Sequence, residues 1–136
     1  MEMLNTLSDT KVLEDLRALS ARENEVTCEI LLYLIEVDNR KLYLEQGYGS
    51  LFDYCTRALG YSEPAAMRRI TAARCSREYP GVYQRLKEKK LTLSSISVFS
   101  SVLSKENVQS VLEAVCGKSK REVELYVSRF RPAKKL

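Results

Sequence analysis

Ser50-Leu-Phe-Asp-Tyr-Cys-Thr-Arg-Ala-Leu-Gly-Tyr-Ser-Glu-Pro-Ala-Ala-Met-Arg-Arg-Ile-Thr-Ala-Ala-Arg-Cys-Ser-Arg77 reads as a short helix, a tight turn and a second helix. Ser50 followed by Asp53 is a close variant of a capping box, and Leu51, Tyr54, Cys55 and Leu59 make one apolar face. Gly60 supplies the left-handed residue that ends the first helix. Ser62 then caps the second, and Pro64 suits its first turn. Ala65 and Ala66 permit close helix packing. Ile70 and Ala73 continue the buried face from Ala66 at steps of four and three, which sets Arg68 on the opposite side with Arg69 and Arg74 on its flanks. A helix-turn-helix has this layout, and so does an ordinary αα-hairpin whose arginines are merely solvated.

Working outward, the same punctuation recurs. Ser20-Ala-Arg-Glu23 and Ser119-Lys-Arg-Glu122 are capping-box patterns, and Gly47 and Gly117 follow apolar-periodic stretches, as Gly60 does. Helices are therefore expected near 9–19, 21–45, 50–59, 63–78, 81–89, 93–103, 105–116 and 119–130. Val26, Ile30, Leu34 and Val37 form a stripe, as do Val108, Leu112 and Val115, and Val123, Tyr126, Val127 and Phe130. The Ser-rich stretch after Thr92 is ambiguous by composition. Leu93, Ile96, Phe99 and Leu103 recur at helical steps, so it too is read as helix. The expected fold is all-α, a compact multi-helix domain containing a helix-turn-helix. An N-terminal helix (1–21) precedes the main domain (22–130), and a basic tail or linker start (131–136) follows Pro132.

The chain has 136 residues, enough for one domain, with 45% hydrophobic and 29% charged residues. It contains no histidine. That excludes Ser-His-Asp and Cys-His nucleophile systems and any zinc site that needs imidazole. The four cysteines, at 28, 55, 75 and 116, form no C-x-x-C pair and sit among apolar neighbours. Buried reduced thiols in a cytoplasmic protein are expected from this pattern. The first residues lack the basic and apolar regions of a secretory signal, and no apolar run is long enough to span a bilayer. No cofactor, no metal, no membrane and no small-molecule substrate is expected.

Charge is divided along the chain. Residues 1–67 carry six Lys/Arg against twelve Asp/Glu, a net −6, whereas residues 68–136 carry sixteen against six, a net +10. Such asymmetry points to a polyanion partner for the second half. In a DNA-binding helix-turn-helix the second helix enters the major groove and arginine forks reach guanine edges or phosphates. Ser62, Arg68, Arg69, Arg74 and Arg77 are the candidates there. Arg85, Lys87, Lys89 and Lys90 are accounted for by the dipole of the helix they end. Lys118, Lys120 and Arg121 surround a helix start, where positive charge is unfavourable and a nearby phosphate would rationalise it. Thr56, where a small alanine is usual, and Arg69, at a position more often apolar, depart from the usual helix-turn-helix pattern.

Leu42-Tyr-Leu-Glu-Gln-Gly-Tyr-Gly-Ser-Leu-Phe-Asp-Tyr-Cys55 and Leu59-Gly-Tyr-Ser-Glu-Pro-Ala-Ala-Met-Arg-Arg-Ile70 resemble the N-terminal helical region of bacterial HNH endonuclease proteins. The likeness continues through Tyr79-Pro80, Leu91-Thr-Leu-Ser94, Leu103-Ser-Lys-Glu-Asn107 and Gly117-Lys-Ser-Lys-Arg-Glu-Val123, covering roughly residues 26–130. A looser resemblance is to the helix-turn-helix core of ParB-like proteins. The resemblance implies a DNA-associated helical module without the nuclease, because HNH chemistry requires histidines that this chain lacks. It maps Gly60, Ser62, Arg68, Arg69 and Arg74 as binding candidates and supplies no catalytic residue. A non-enzymatic module binding double-stranded DNA is thus the leading expectation. The alternative is a helical protein-interaction or dimerisation domain, a homodimer included, with Leu31, Tyr33, Ile35 and Leu42 among its candidate contacts. An enzyme is the weakest of the three, since no spacing assembles a set of catalytic groups.

Overall fold

The computed structural model describes residues 2–130, and among them every regular element is helical. The basic tail at 131–136 lies outside the described residues. In chain order the helices are α1 (Glu2–Asn5), α2 (Asp9–Arg40), α3 (Leu42–Glu45), α4 (Leu51–Asp53), α5 (Glu63–Glu78), α6 (Pro80–Lys87), α7 (Leu93–Phe99), α8 (Val108–Val115) and α9 (Lys120–Phe130). A π-helical turn, Tyr54–Ala58, continues α4, and a 3-10 turn, Ser100–Val102, continues α7. The ambiguous Ser-rich stretch is therefore helical, opened by a reciprocal capping box between Thr92 and Ser95.

Helix α2 corrects one expectation. A break was expected at Ser20, with separate helices over 9–19 and 21–45, but the helix runs unbroken through Ser20 and ends at Arg40. No Gly or Pro interrupts residues 9–40, and Ala18, Leu19, Ala21 and Arg22 all favour helix, so the cap signal at Ser20 is overridden. The boundary drawn at residue 21 thus falls inside a continuous helix about 48 Å long. Its first half packs on little. From Asn24 onward it joins the body of the protein: the Asn24 amide donates to the Leu86 carbonyl at 3.3 Å, and Cys28, Leu31 and Leu34 are buried. Val26, expected on the core stripe, is 52% exposed.

The segment 50–77 forms the helix, turn and helix that its residues dictate. Ser50 Oγ accepts from the Asp53 N–H at 2.9 Å, and the Asp53 carboxylate reaches back to the Gly49 N–H. Gly60 takes φ 79°, in the left-handed region, and Ser62 Oγ caps α5 by accepting from the Ala65 N–H. Thr56, at a position where alanine is usual, donates its hydroxyl to the carbonyls of Phe52 and Asp53 beside the π-helical turn.

Helix α5 is the centre of the fold, packed against α2, α4, α6 and α7. Ala66, Ile70, Ala72, Ala73, Cys75 and Ser76 are all buried, so it is enclosed on more than the single face that steps of four and three define. Its small residues allow this close approach from several directions. Around it Val82, Leu86, Ile96, Phe99, Leu112 and Val123 complete one core. Tyr79 is extended before Pro80, which disfavours helix in the residue it follows, and so separates α5 from α6. The helix expected from residue 105 begins at Val108. Asn107 instead ties the preceding turn, accepting from the Ser104 N–H and donating to the Val102 carbonyl, both at 2.8 Å.

Candidate nucleic-acid interface

Helix α6 ends in a Schellman motif. The Lys89 N–H donates to the Leu86 carbonyl and the Lys90 N–H to the Arg85 carbonyl, with Lys89 left-handed at φ 63°. Glycine is the usual residue at such a position. Lys89 faces a groove of about 450 Å³ between α2, α5 and the start of α7, lined also by Arg68, Arg69, Thr92 and Ser94. Glu23 is the single carboxylate among its lining residues. Arg68 is half-buried and, like Lys89, makes no side-chain hydrogen bond or ion pair within the described chain.

The turn between α8 and α9 sits directly beside this motif. The Gly117 N–H donates to the Lys90 carbonyl at 2.9 Å, and Gly117 is left-handed at φ 74°, so the chain reverses there. Lys118, Lys120 and Arg121 follow, all exposed, their side chains without a hydrogen bond or ion pair within the described residues. The expected capping box is present. Ser119 N–H donates to Glu122 Oε1 at 2.8 Å, and the Glu122 N–H donates to Ser119 Oγ at 3.1 Å. That Ser119 N–H bond holds the Glu122 carboxyl below its ordinary range, with the Ser119 side chain and Lys118 adding to the effect. Two basic groups that lie far apart in sequence, 85–90 and 118–121, are thus joined by one backbone hydrogen bond. Arg68 and Lys89 line the groove beside this junction.

The other candidates are engaged elsewhere. Arg74 forms a bidentate pair with Asp38, both contacts at 3.0 Å, and Arg77 Nη1 donates to Asp38 Oδ2 at 2.9 Å and to Asn39 Oδ1 at 2.8 Å. These contacts bind α5 to the end of α2. The Arg74 guanidinium, with Arg77 beside it, holds the Asp38 carboxyl below its usual range against the opposing effect of burial. Arg69 donates Nη1 to the Ala65 carbonyl at 3.0 Å and lies over the Tyr61 ring, 4.6 Å from its centroid, while its Nε is buried without a partner. Ser62 is a helix cap. In the second basic group, Arg85 folds back on the Gly81 carbonyl and Lys87 lies 5.9 Å from the Tyr83 ring centroid. Lys89 and Lys90 remain at the turn, where charge-to-dipole complementarity accounted for the whole group in sequence.

The exposed positions of α5 are Glu63, Pro64, Met67, Arg74, Arg77 and Glu78, so an acidic residue stands at each end and the two arginines are paired. The basic turns, by contrast, carry exposed cations: Lys89, Lys118, Lys120 and Arg121 have no ion pair within the described residues, and Lys90 lies 3.5 Å from the Glu88 carboxylate in an exposed pair. Cys28, Cys55 and Cys75 are buried free thiols and Cys116 is half-buried. Burial pushes the Cys75 thiol up to about 11 and raises Cys28 and Cys55 in the same direction. Among the described residues no cluster of acidic or cysteine side chains is arranged to hold a metal ion, and no helix is long and apolar enough to cross a membrane. No family model, no curated protein and no solved structure matches the chain.

Proposed function

We propose that the protein is a non-enzymatic module that binds double-stranded DNA, gripping phosphates through Arg68 and the turns that carry Lys89, Lys90, Lys118, Lys120 and Arg121. The observation that carries this is the Gly117–Lys90 hydrogen bond, which brings the turn of Lys89 and Lys90 against the turn that leads into Lys118, Lys120 and Arg121. Exposed lysine and arginine side chains with no internal partner contact a polyanion at little desolvation cost, and each one that meets a phosphate releases a counterion. The helix-turn-helix pair serves in this reading as the scaffold. Because Arg69, Arg74 and Arg77 of α5 are engaged within the chain, contacts in this reading fall chiefly on the backbone, where they position the duplex without reading its sequence. The +10 charge of residues 68–136 and the resemblance to the helical region that precedes HNH nuclease domains agree with this reading.

Fluorescence anisotropy with labelled duplex tests it. Arg68→Ala, Lys89→Ala and Lys118→Ala should each weaken binding several-fold with the fold intact and should do so equally on unrelated sequences. Arg77→Ala should leave affinity nearly unchanged. Equal loss from Arg77→Ala and none from Lys118→Ala would place the interface on α5 instead and overturn the assignment.

A further inference from the structure

Apart from Glu23 at the edge of the groove, the proposed DNA contacts leave the acidic face of α2 unused. Along α2, Val12, Leu16, Leu19, Val26, Ile30, Tyr33 and Val37 recur at alternating steps of four and three, with Glu23 completing the series. Such a series is a heptad seam, which two helices bury against each other. The seam is open over its first part and at Tyr33, whereas Ile30 and Val37 are half-buried against the core: Leu16 is 62% exposed, Leu19 56% and Tyr33 74%, with Leu13 beside them at 66%. Met3 and Leu4 of α1 are more exposed than not. Val12, Leu13, Leu16, Leu19, Val26 and Tyr33 of α2 leave on the order of 600 Å² accessible, the scale of one side of a standard protein interface, about 800 Å².

We infer that this seam pairs antiparallel with the same seam of a second copy of the chain. Charge selects both the occupant and its direction. Residues 9–22 hold three acids, Asp9, Glu14 and Asp15, followed toward the C-terminal end by Arg17 and Arg22, with Lys11 among the acids and paired to Asp15 at 3.0 Å in an exposed contact that an interhelical arginine can share. Asp15 and Arg22 lie seven residues apart on the same flank of the seam. An antiparallel pair in which Leu16 meets the partner's Leu19 sets Asp15 near the partner's Arg22 and repeats that contact through the two-fold axis. A parallel pair sets Arg22 beside the partner's Thr27 and makes no ion pair. Toward its C-terminal end the seam runs into an apolar groove of about 550 Å³ that lies open between α2 and the Leu59–Tyr61 turn.

Light scattering on the full chain during size exclusion, across micromolar to sub-millimolar concentrations, tests the pairing. A species of twice 15.6 kDa is expected. Leu16→Glu should raise the dissociation constant about ten-fold or more without changing helicity, since Leu16 is largely exposed within one copy. Arg22→Asp should weaken the dimer, and Asp15→Arg with Arg22→Asp should restore it. A monomer at every concentration, or a dimer indifferent to Leu16→Glu, overturns the seam. A dimer that Leu16→Glu dissolves but the double charge exchange does not restore overturns the antiparallel register.

Discussion

The backbone N–H of Gly117 donates to the carbonyl of Lys90 across 2.9 Å, and this bond locks the turn before α9 onto the turn that ends α6. Both turns use a left-handed residue, Gly117 and Lys89, and both carry cations at the reversal. The proposed DNA-binding face depends on that junction.

Lys89 occupies the one position of its Schellman motif where glycine is preferred, at φ 63°. Lys89→Gly should therefore stabilise the fold by about 1 kcal/mol, because the left-handed conformation costs a side-chain-bearing residue about that much. The same substitution removes a groove cation and should weaken duplex binding. Urea unfolding and anisotropy on one preparation check that stability and affinity move in opposite directions.

Asp38 joins α2 to α5 through Arg74 and Arg77, and its carboxyl is held low chiefly by the Arg74 hydrogen bond. A carboxyl with a depressed folded-state pKa stabilises the protein above its unfolded value and loses that contribution as pH falls through the folded value. Stability should thus fall on acidification below about pH 4, where an unfolded aspartate titrates. Arg74 is half-exposed, so the pair is screened and Asp38→Asn should cost only about 1 kcal/mol at neutral pH. The variant should also show a shallower acid limb in thermal melts recorded from pH 7 to pH 2.5. An acid limb identical to that of the unaltered protein would remove Asp38 from this role.

Phe99 is the largest fully buried side chain, on α7, which packs against both α5 and α9. Phe99→Ala should destabilise by about 3–5 kcal/mol through lost burial and the cavity left behind. Chemical denaturation reads this directly. A loss below 1 kcal/mol would mean that this centre of the core is misassigned.

Cys75 is buried with its thiol pushed up to about 11, and Cys28 and Cys55 are raised by the same cause. An aromatic disulfide reagent at pH 8 should therefore label Cys116 first in the native protein and reach the other three only after denaturant is added. Rapid labelling of Cys75 in the folded state would contradict its burial.

The helical architecture was legible because its signals are local. Gly47, Gly60 and Gly117 are left-handed where expected, and Ser50, Ser62 and Ser119 cap as their spacing implies. Ser20 misled for the opposite reason: a capping pattern carries no weight where the residues on both sides favour helix and nothing breaks the chain. The site was only partly legible. Lys118, Lys120 and Arg121 stood out by their unfavourable place at a helix start, but their junction with Lys90 is a contact between distant segments. No helical period marks Asp38 as the partner of Arg74, 36 residues away, so engaged and unengaged arginines look alike in sequence. Exposure of the α2 seam was hidden for the same reason, since its apolar periodicity is also that of a core helix.

Duplex affinity measured against salt tests the proposed function most directly. Neutralisation of about six phosphates by Arg68, Lys89, Lys90, Lys118, Lys120 and Arg121 predicts a slope of about −5 in log affinity against log salt. Removing Lys118 and Lys120 together should bring it to about −3.5. No binding at low salt, or an affinity flat across the series, would contradict a phosphate-gripping face.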